Sequence, residues 1–201
     1  MTTTQTTTPT TDNSAHSDRD RALQGVRDIL SYLGQNPDRP GLTQTPRRVV
    51  DALLEMTSAP GSPAQLLSVV FDDAGPTDQM ITLTGVEFTS LCEHHLLPFT
   101  GTATVAYLPK NGRVVGLSKL ARLVEHHARQ PQVQERLTEA IADDLTRHLA
   151  PQGAGVAINA THTCMGVRGI RKPAATMRTT ALRGAFLTTP ETRAEFLSSV
   201  H

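Results

Sequence analysis

The sequence predicts an α+β fold with antiparallel hairpins, and two observations support this. Segments with the alternating, Thr- and Val-rich pattern of strands come in two pairs, 79–90 with 100–109 and 155–167 with 176–186. Two stretches with helical spacing, 117–129 and 133–149, lie between these pairs. A parallel sheet would instead alternate single strands with single helices, so the order of elements favours antiparallel pairing.

Helices are predicted before the first strand pair. Apolar residues recur at helical spacing from about Arg19 to Leu33, and Gly34 is a suitable helix stop. Thr45 can cap a second helix that has Pro46 at its first position. The Thr-rich segment before them has little to bury. We therefore expect a disordered tail over 1–18, a helical region over 19–75 and the main domain over 76–201; a short terminal helix is expected from Pro190.

Composition excludes several classes of protein. The 201 residues include 19 basic and 19 acidic side chains, two cysteines and no Trp. A balanced charge argues against a broad nucleic-acid surface, and two cysteines cannot form a disulfide framework. We find no membrane-spanning run and no secretory signal, so a cytoplasmic protein without nucleic-acid or membrane partners is expected.

Both cysteines lie in clusters with histidine. Cys92 and His95 frame the segment Cys-Glu-His-His, and His162-Thr163-Cys164 follows about 70 residues later. Two residues between Cys92 and His95 allow one turn to present sulfur and nitrogen to a single Zn²⁺, although His94 is an equal candidate on spacing. If residues 162–164 continue a strand, His162 and Cys164 share a face. Three ligands would leave a position for a water molecule whose pKa the metal lowers.

The alternative to a metal site is ordinary packing. A single C-x-x-H arises by chance, and reduced cysteines are frequently just small buried side chains. Spacing alone leaves the two interpretations about equal. The neighbouring pair His126-His127 is a weaker metal candidate, because adjacent helical side chains point about 100° apart.

Polar residues at helix starts form a second candidate site. Cations near a helix start suit a phosphate group, and each alone is more often a solvated surface charge. A buried carboxylate in the second helix could accept hydrogen bonds from a guanine edge. The residues are Ser118, Lys119 and Arg122 at the start of the helix from 117, Arg48 in the helix after Pro46, Glu135 in the helix from 133, and Arg168 after the second Cys/His cluster.

Several motifs together resemble the GTP cyclohydrolase I family. They are S-L-C-E-H-H at 90–95, G-L-S-K-L-A-R at 116–122, R-Q-P-Q-V-Q-E-R-L at 129–137, H-T-C-M-x-x-R-G-I-R at 162–171 and T-P-R-R at 45–48. The resemblance spans roughly residues 20–200. It implies the tunnelling fold, an antiparallel sheet with a helix pair on one face, preceded here by N-terminal helices. It also implies a homo-oligomer, commonly a decamer of two stacked pentamers with active sites at subunit interfaces.

The resemblance further implies the reaction and its residues. GTP and water would yield 7,8-dihydroneopterin triphosphate and formate, the entry to folate or pterin synthesis. By motif, the zinc ligands are Cys92, His95 and Cys164, and the catalytic histidines are His162, which protonates N7, and His94. The substrate contacts implied are Glu135 with Gln134 at the guanine, Ser118 near the ribose or phosphates, and Lys119, Arg122, Arg168 and a neighbouring subunit's Arg48 at the triphosphate.

Two other functions are compatible with parts of this pattern. A nitrile reductase of queuosine synthesis shares the fold but uses a nicotinamide cofactor and a catalytic cysteine, and the complete Cys92, His95 and Cys164 set argues against it. A non-catalytic purine-nucleotide binding protein is disfavoured by the presence of both His94 and His162. Thr163 departs from the family, where a larger residue is common.

Overall fold

A computed structural model of the chain describes residues 13–71 and 77–200, and the chain divides after Glu55 into two compact units. Helix α1 (Asn13–Tyr32) and most of α2 (Thr45–Met56) form the first unit. Helix α2 begins at Thr45, one residue before the predicted first position at Pro46. Arg19 on α1 and Asp51 on α2 form an ion pair of 2.5 Å, and this pairing lowers the pKa of Asp51.

Only part of the predicted tail lies within the residues that the structure describes. Helix α1 begins at Asn13, within the segment assigned to the tail, and residues 1–12 lie outside the described residues. The segment boundaries drawn from the sequence at 18 and 75 stay predictions. Among the described helices, none has the length and apolar character needed to cross a membrane.

The second unit contains a sheet and its covering helices. Its elements are α3 (Pro63–Leu66), β1 (Val70–Phe71), β2 (Ile81–Cys92), β3 (Pro98–Leu108), β4 (Val114–Val115), α4 (Leu117–Ala128), β5 (Pro131–Gln132), α5 (Gln134–Leu149), β6 (Gly153–His162), α6 (Thr163–Gly166), β7 (Thr176–Gly184), α7 (Ala185–Thr188) and α8 (Pro190–Ser198). The four long strands and the two long helices are those predicted from sequence periodicity. The short elements α3, α6 and α7 are single turns, which periodicity cannot detect because it needs about 11 residues.

The main sheet has five strands in the order β5-β2-β3-β6-β7. The pairs β2–β3, β3–β6 and β6–β7 are antiparallel, and only the two-residue strand β5 runs parallel to its neighbour β2. Because β3 lies between β2 and β6, its first residues meet the ends of both. Leu91 pairs with Pro98, and Phe99 pairs with His162.

One face of the sheet packs against α4 and α5. Alternate residues of the strands point to this face, and the two helices present their apolar stripes to it. The resulting core includes Phe99, Val105, Tyr107, Leu120, Leu123, Leu137, Ile141, Leu145, Val156 and Ile158, all buried. The α+β class and the antiparallel sheet with a helix pair on one face are therefore confirmed.

The opposite face is covered at one end by α7 and α8. Phe186 and Phe196 pack edge to face with ring centroids 5.5 Å apart, over Ala106 and Ala157. Gly155 allows this approach, since a Cβ there would lie 2.7 Å from the Phe186 ring. This end of the sheet is thereby closed, and the end at which β2 and β6 finish carries the polar cluster described next.

Candidate functional site

Three chain segments converge at one end of the sheet. Strand β2 ends at Cys92, β3 begins at Pro98 and β6 ends at His162. Strand β5 adds a fourth segment, because Gln132 pairs with Cys92 and leads directly into α5. Residues about 70 positions apart in sequence are brought together here by the order of the strands.

The loop after β2 folds back over Cys92. The backbone N–H groups of His95 and Leu96 both donate to the Cys92 carbonyl, at 3.2 and 2.8 Å, and this closes a tight turn. Leu96 adopts a left-handed conformation with φ of 52°, which ends the turn and returns the chain to β3. The turn places Nδ1 of His95 at 3.9 Å from Sγ of Cys92.

Cys164 does not lie on a strand, and the expectation of a continued strand was wrong. Strand β6 ends at His162, and Thr163 begins the helical turn α6. The Thr163 hydroxyl donates to the Pro98 carbonyl at 2.6 Å, so this side-chain bond competes with continued sheet pairing at the start of β3. The turn brings the Cys164 sulfur toward the loop after β2.

Cys92, His95 and Cys164 form a group that could hold a metal ion. Their ligand atoms all lie within 4.8 Å of one another. Two sulfurs bound at ~2.3 Å to one tetrahedral ion are roughly 3.8 Å apart, so little movement is needed. Cys92 is buried, Cys164 half-buried and His95 exposed, which leaves one side of the group open. Two thiolates and an imidazole with an open position are a donor set that suits a catalytic Zn²⁺.

The Cys92 sulfur affects the ionisation of Cys164. Burial raises the pKa of the Cys164 thiol, and the neighbouring Cys92 raises it further. A divalent cation between the sulfurs would reverse this, because it favours the thiolate form. The two cysteines are therefore better suited to binding a cation as thiolates than to remaining a pair of free thiols.

The two adjacent histidines are distinguished by their surroundings. Nδ1 of each lies 3.9 Å from Cys92 Sγ. Within the described residues, the group that could hold an ion contains His95 and not His94. The side chain of His94 is 64% exposed, and its Nε2 lies 3.9 Å from the Glu93 carboxylate. His94 is thus at the rim of the group.

Arg168 contacts the outer nitrogen of His95. Its guanidinium lies 3.0 Å from Nε2. Because a guanidinium only donates, Nε2 accepts here and Nδ1 is the nitrogen directed to Cys92. A metal on Nδ1 requires the proton to sit on Nε2, and Arg168 would then lose this acceptor.

His162 is held on two sides. Its ring stacks on buried Phe99 with centroids 4.6 Å apart and planes inclined by 2°. Its Nε2 lies 2.9 Å from Oε1 of Gln134. Burial lowers the pKa of His162, and the Glu135 charge opposes this only partly. The ring is therefore fixed in place and favours the neutral form.

The predicted substrate residues lie on several elements. Glu135 is exposed in the first turn of α5, and Gln134 beside it is buried with its amide bonded within the protein. At the start of α4, Ser118 and Arg122 are exposed and Lys119 is half-buried; within the described residues none of them belongs to the group that could hold an ion. Arg48 is exposed on α2 in the first unit. Their roles toward a substrate stay predictions.

The ion pair between Glu93 and Arg136 was not predicted from the sequence. The two side chains form paired hydrogen bonds of 2.7 and 3.0 Å, and Arg136 lowers the pKa of Glu93. The backbone N–H of Glu93 also donates to the Gln132 carbonyl at 3.0 Å. Together these bonds tie the loop that carries His95 to the start of α5. A separation of 43 residues leaves no local signal for such a pair.

The fold and the site define an α+β protein with an antiparallel sheet, a helix pair on one face and a three-ligand site that could hold a metal. The family model of GTP cyclohydrolase I matches residues 22–201. Among curated relatives, GTP cyclohydrolase 1 of Rhodopirellula baltica is 48% identical over 94% of this chain and 82% of its own length. Those of Thermobifida fusca and Thermoanaerobacter pseudethanolicus are 46% and 44% identical, over 91% and 92% of this chain and 88% and 97% of their own. The chain belongs to the GTP cyclohydrolase I family.

Proposed function

We propose that this protein hydrolyses GTP at C8 of the purine, giving 7,8-dihydroneopterin triphosphate and formate at the start of folate or pterin synthesis. The observation that carries the proposal is the convergence of Cys92, His95 and Cys164 within 4.8 Å, with His162 at the end of β6 directly before the turn that carries Cys164. Membership of the GTP cyclohydrolase I family supports the substrate. The same geometry supports zinc as the ion, because two thiolates and an imidazole are ligands that zinc prefers.

Cys92, His95 and Cys164 would hold the ion, with Nδ1 of His95 as its nitrogen ligand. When bound, zinc supplies the Lewis acidity that makes a water molecule nucleophilic at neutral pH. His162 protonates N7 of the purine and so makes C8 more electrophilic. His94 at the exposed rim assists proton transfer during ring opening and formyl hydrolysis.

Charged and polar side chains of other elements position the substrate. Glu135 accepts hydrogen bonds from the guanine edge, and Ser118 contacts the ribose or phosphate side. Lys119, Arg122, Arg168 and a neighbouring subunit's Arg48 bind the triphosphate, so that four cations balance about four negative charges. Arg168 becomes available for this when a metal on Nδ1 removes its acceptor at Nε2 of His95.

The role of Arg48 implies an oligomer, for which we propose a cytoplasmic homodecamer of two stacked pentamers. Large apolar side chains exposed in the first unit support burial against other subunits. On α1 and the residue after it, Ile29, Tyr32 and Leu33 are 59%, 92% and 64% exposed. Sedimentation of the purified protein measures the assembly directly.

Turnover of GTP tests the proposal. The zinc-loaded protein is expected to release formate and form a fluorescent pterin from GTP; chelation should stop both, and added zinc should restore them. Cys164→Ser should lower zinc content from about one ion per subunit and abolish turnover, since one of three ligands is lost. Consumption of NADPH with a cyano-deazaguanine, and no pterin from GTP, would instead establish the reductase.

A further inference from the structure

The side chain of Gln134 is one of the most buried polar groups of the sheet–helix core. It is only 1% exposed, although α5 begins at this residue. Its Nε2 lies 3.1 Å from the Ile158 carbonyl, 3.0 Å from the Met177 carbonyl and 3.1 Å from the Thr179 hydroxyl. The amide nitrogen thus faces three acceptors on β6 and β7, and the amide oxygen faces the opposite way, toward His162.

The orientation of this amide follows from its neighbours. Main-chain carbonyls only accept, so an amide oxygen placed against Ile158 and Met177 would meet two acceptors without a donor. The hydroxyls agree with this assignment. The Thr138 hydroxyl donates to the main-chain carbonyl of Gln134 at 2.7 Å. Its single proton is thereby used, so Thr179 is the donor in the 2.6 Å bond between the two threonine hydroxyls. The Thr179 oxygen is then left to accept from Gln134.

The fixed amide determines which nitrogen of His162 carries a proton. Oε1 of Gln134 has no proton to give, so Nε2 of His162, 2.9 Å away, must be the donor. Stacking on Phe99 holds the plane of the ring, and the bond to Gln134 favours the orientation in that plane that places Nε2 against Oε1. Within the described residues, Nδ1 has no hydrogen-bond partner.

We propose that Gln134 is a positioning residue that holds neutral His162 as the Nε2–H tautomer and so makes Nδ1 the atom that exchanges a proton with the substrate. The role rests on the proposed function of His162. In the reaction, the imidazolium gives its Nδ1 proton to the purine nitrogen, and the Nε2 proton stays on the ring, hydrogen-bonded to Oε1 of Gln134. Nδ1 then regains a proton from water. A neutral acceptor can do this without adding charge to a site that binds a nucleotide.

The tautomer can be measured independently of turnover. In zinc-loaded full-length protein labelled with ¹⁵N-histidine, solid-state NMR at a pH where the ring is neutral distinguishes the protonated nitrogen from the bare one. His162→Asn identifies the signals by their loss. We expect Nε2 protonated and Nδ1 bare. A bare Nε2 in the wild-type protein would overturn the proposal, whatever the variants do.

Two variants of the network separate positioning from packing. Gln134→Met keeps the length of the side chain but removes the acceptor; it should mix the two tautomers and lower kcat roughly 10- to 100-fold, the range found for groups that orient metal-bound histidines. KM for GTP should change less than kcat. Thr179→Val, the matched control, removes a hydroxyl from the same network but leaves both carbonyls on the Gln134 nitrogen. It should keep the wild-type tautomer and most of kcat.

The outcomes distinguish this proposal from the proposed function. Normal pterin formation with Nδ1 protonated would overturn the role of Gln134 alone. The expected tautomer in a protein that forms no pterin would overturn the assigned reaction and leave the positioning established. Equal losses of kcat in Gln134→Met and Thr179→Val, with one tautomer throughout, would assign Gln134 a structural role only. If Gln134→Met does not fold, the wild-type spectrum still decides.

Discussion

Half-buried His162 and buried His127, both in the second unit, differ in the side chain that contacts their ring nitrogen. His162, at the open end of the sheet, directs Nε2 to the neutral amide of Gln134 at 2.9 Å. His127, between α4 and α5, directs Nε2 to a carboxylate oxygen of Asp144, also at 2.9 Å. Burial lowers the pKa of both histidines, and a nearby carboxylate opposes this in each case without overcoming it.

The difference lies in what each partner adds to the structure. Asp144 is buried and also lies 3.3 Å from Arg147 and 3.6 Å from His148, so the His127–Asp144 bond links α4 to a charged cluster on α5. Gln134 adds no charge and leaves Nδ1 of His162 free for other contacts. The same residue type thus holds two helices together at one place and is presented for chemistry at the other. Substitutions at the two places should therefore have separable effects on stability and turnover.

The largest expected effect is on catalysis at His162. His162→Ala should keep zinc and GTP binding and lower the rate of pterin formation by roughly 10²- to 10⁴-fold, because it removes a general acid. Metal analysis, GTP binding and pterin fluorescence measure the three properties. His127→Ala, the matched substitution on α4, should leave kcat close to the wild-type value. Unchanged turnover in His162→Ala would contradict the role given to this residue.

The next largest effect is on stability at Asp144. Asp144→Ala should lower the free energy of unfolding by about 1–3 kcal/mol, because the buried Nε2–H of His127 loses its acceptor. Zinc content and kcat should not change, since neither His127 nor Asp144 belongs to the Cys-His-Cys group. Denaturant unfolding followed by circular dichroism gives the change. An unfolding midpoint equal to the wild-type one would show that α4 and α5 do not need this bond.

Protonation of His127 should also contribute to the pH dependence of the free energy of unfolding. Its pKa in the folded protein is lowered from the unfolded value of about 6.5, so below that pH the unfolded chain binds more protons than the folded one. The contribution is fully present above about pH 6.5 and is lost as the pH falls toward the lower folded value. His127→Gln should unfold with a flatter pH dependence than the wild type between about pH 7.5 and 5.5. Parallel curves for the two proteins would contradict the direction of this shift.

Local pattern was sufficient for one half of the candidate metal site. The spacing of Cys92 and His95 lies within a single turn, and the turn forms through backbone bonds to the Cys92 carbonyl. The family resemblance implied His95 over His94, and the structure makes the same choice through Cys164, which reaches the group by the strand order β2-β3-β6. Spacing alone could not make that choice, because it contains no information on distant segments.

Other features depended on contacts that no local pattern records. The prediction of a strand over residues 155–167 was wrong from Thr163 onward. A helical turn begins there, and the Thr163 hydroxyl donates to the Pro98 carbonyl. His126 and His127 are adjacent in sequence, but one bonds the Pro60 carbonyl and the other bonds Asp144 on a different helix. The long strands and helices were predictable, since strand alternation is detectable over about 4–8 residues and helical spacing over about 11 or more.

The smallest expected effect is at Asp143, the neighbour of Asp144. Asp143 is exposed and accepts two hydrogen bonds from Arg183, at 2.9 and 2.8 Å, while Arg183 also pairs with Glu139. Asp143→Ala should change the free energy of unfolding by only about 0–1 kcal/mol, because water and Glu139 replace Asp143 as partners of Arg183.

Adjacent aspartates on one helix share its backbone and propensity, so the comparison of Asp143→Ala with Asp144→Ala isolates the effect of burial. Denaturant unfolding at about 0.1 M and about 1 M salt separates the two further, since screening should remove the Asp143 effect and leave most of the Asp144 effect. Equal losses at the two positions would mean that charge on α5, and not the buried bond to His127, stabilises the helix pair.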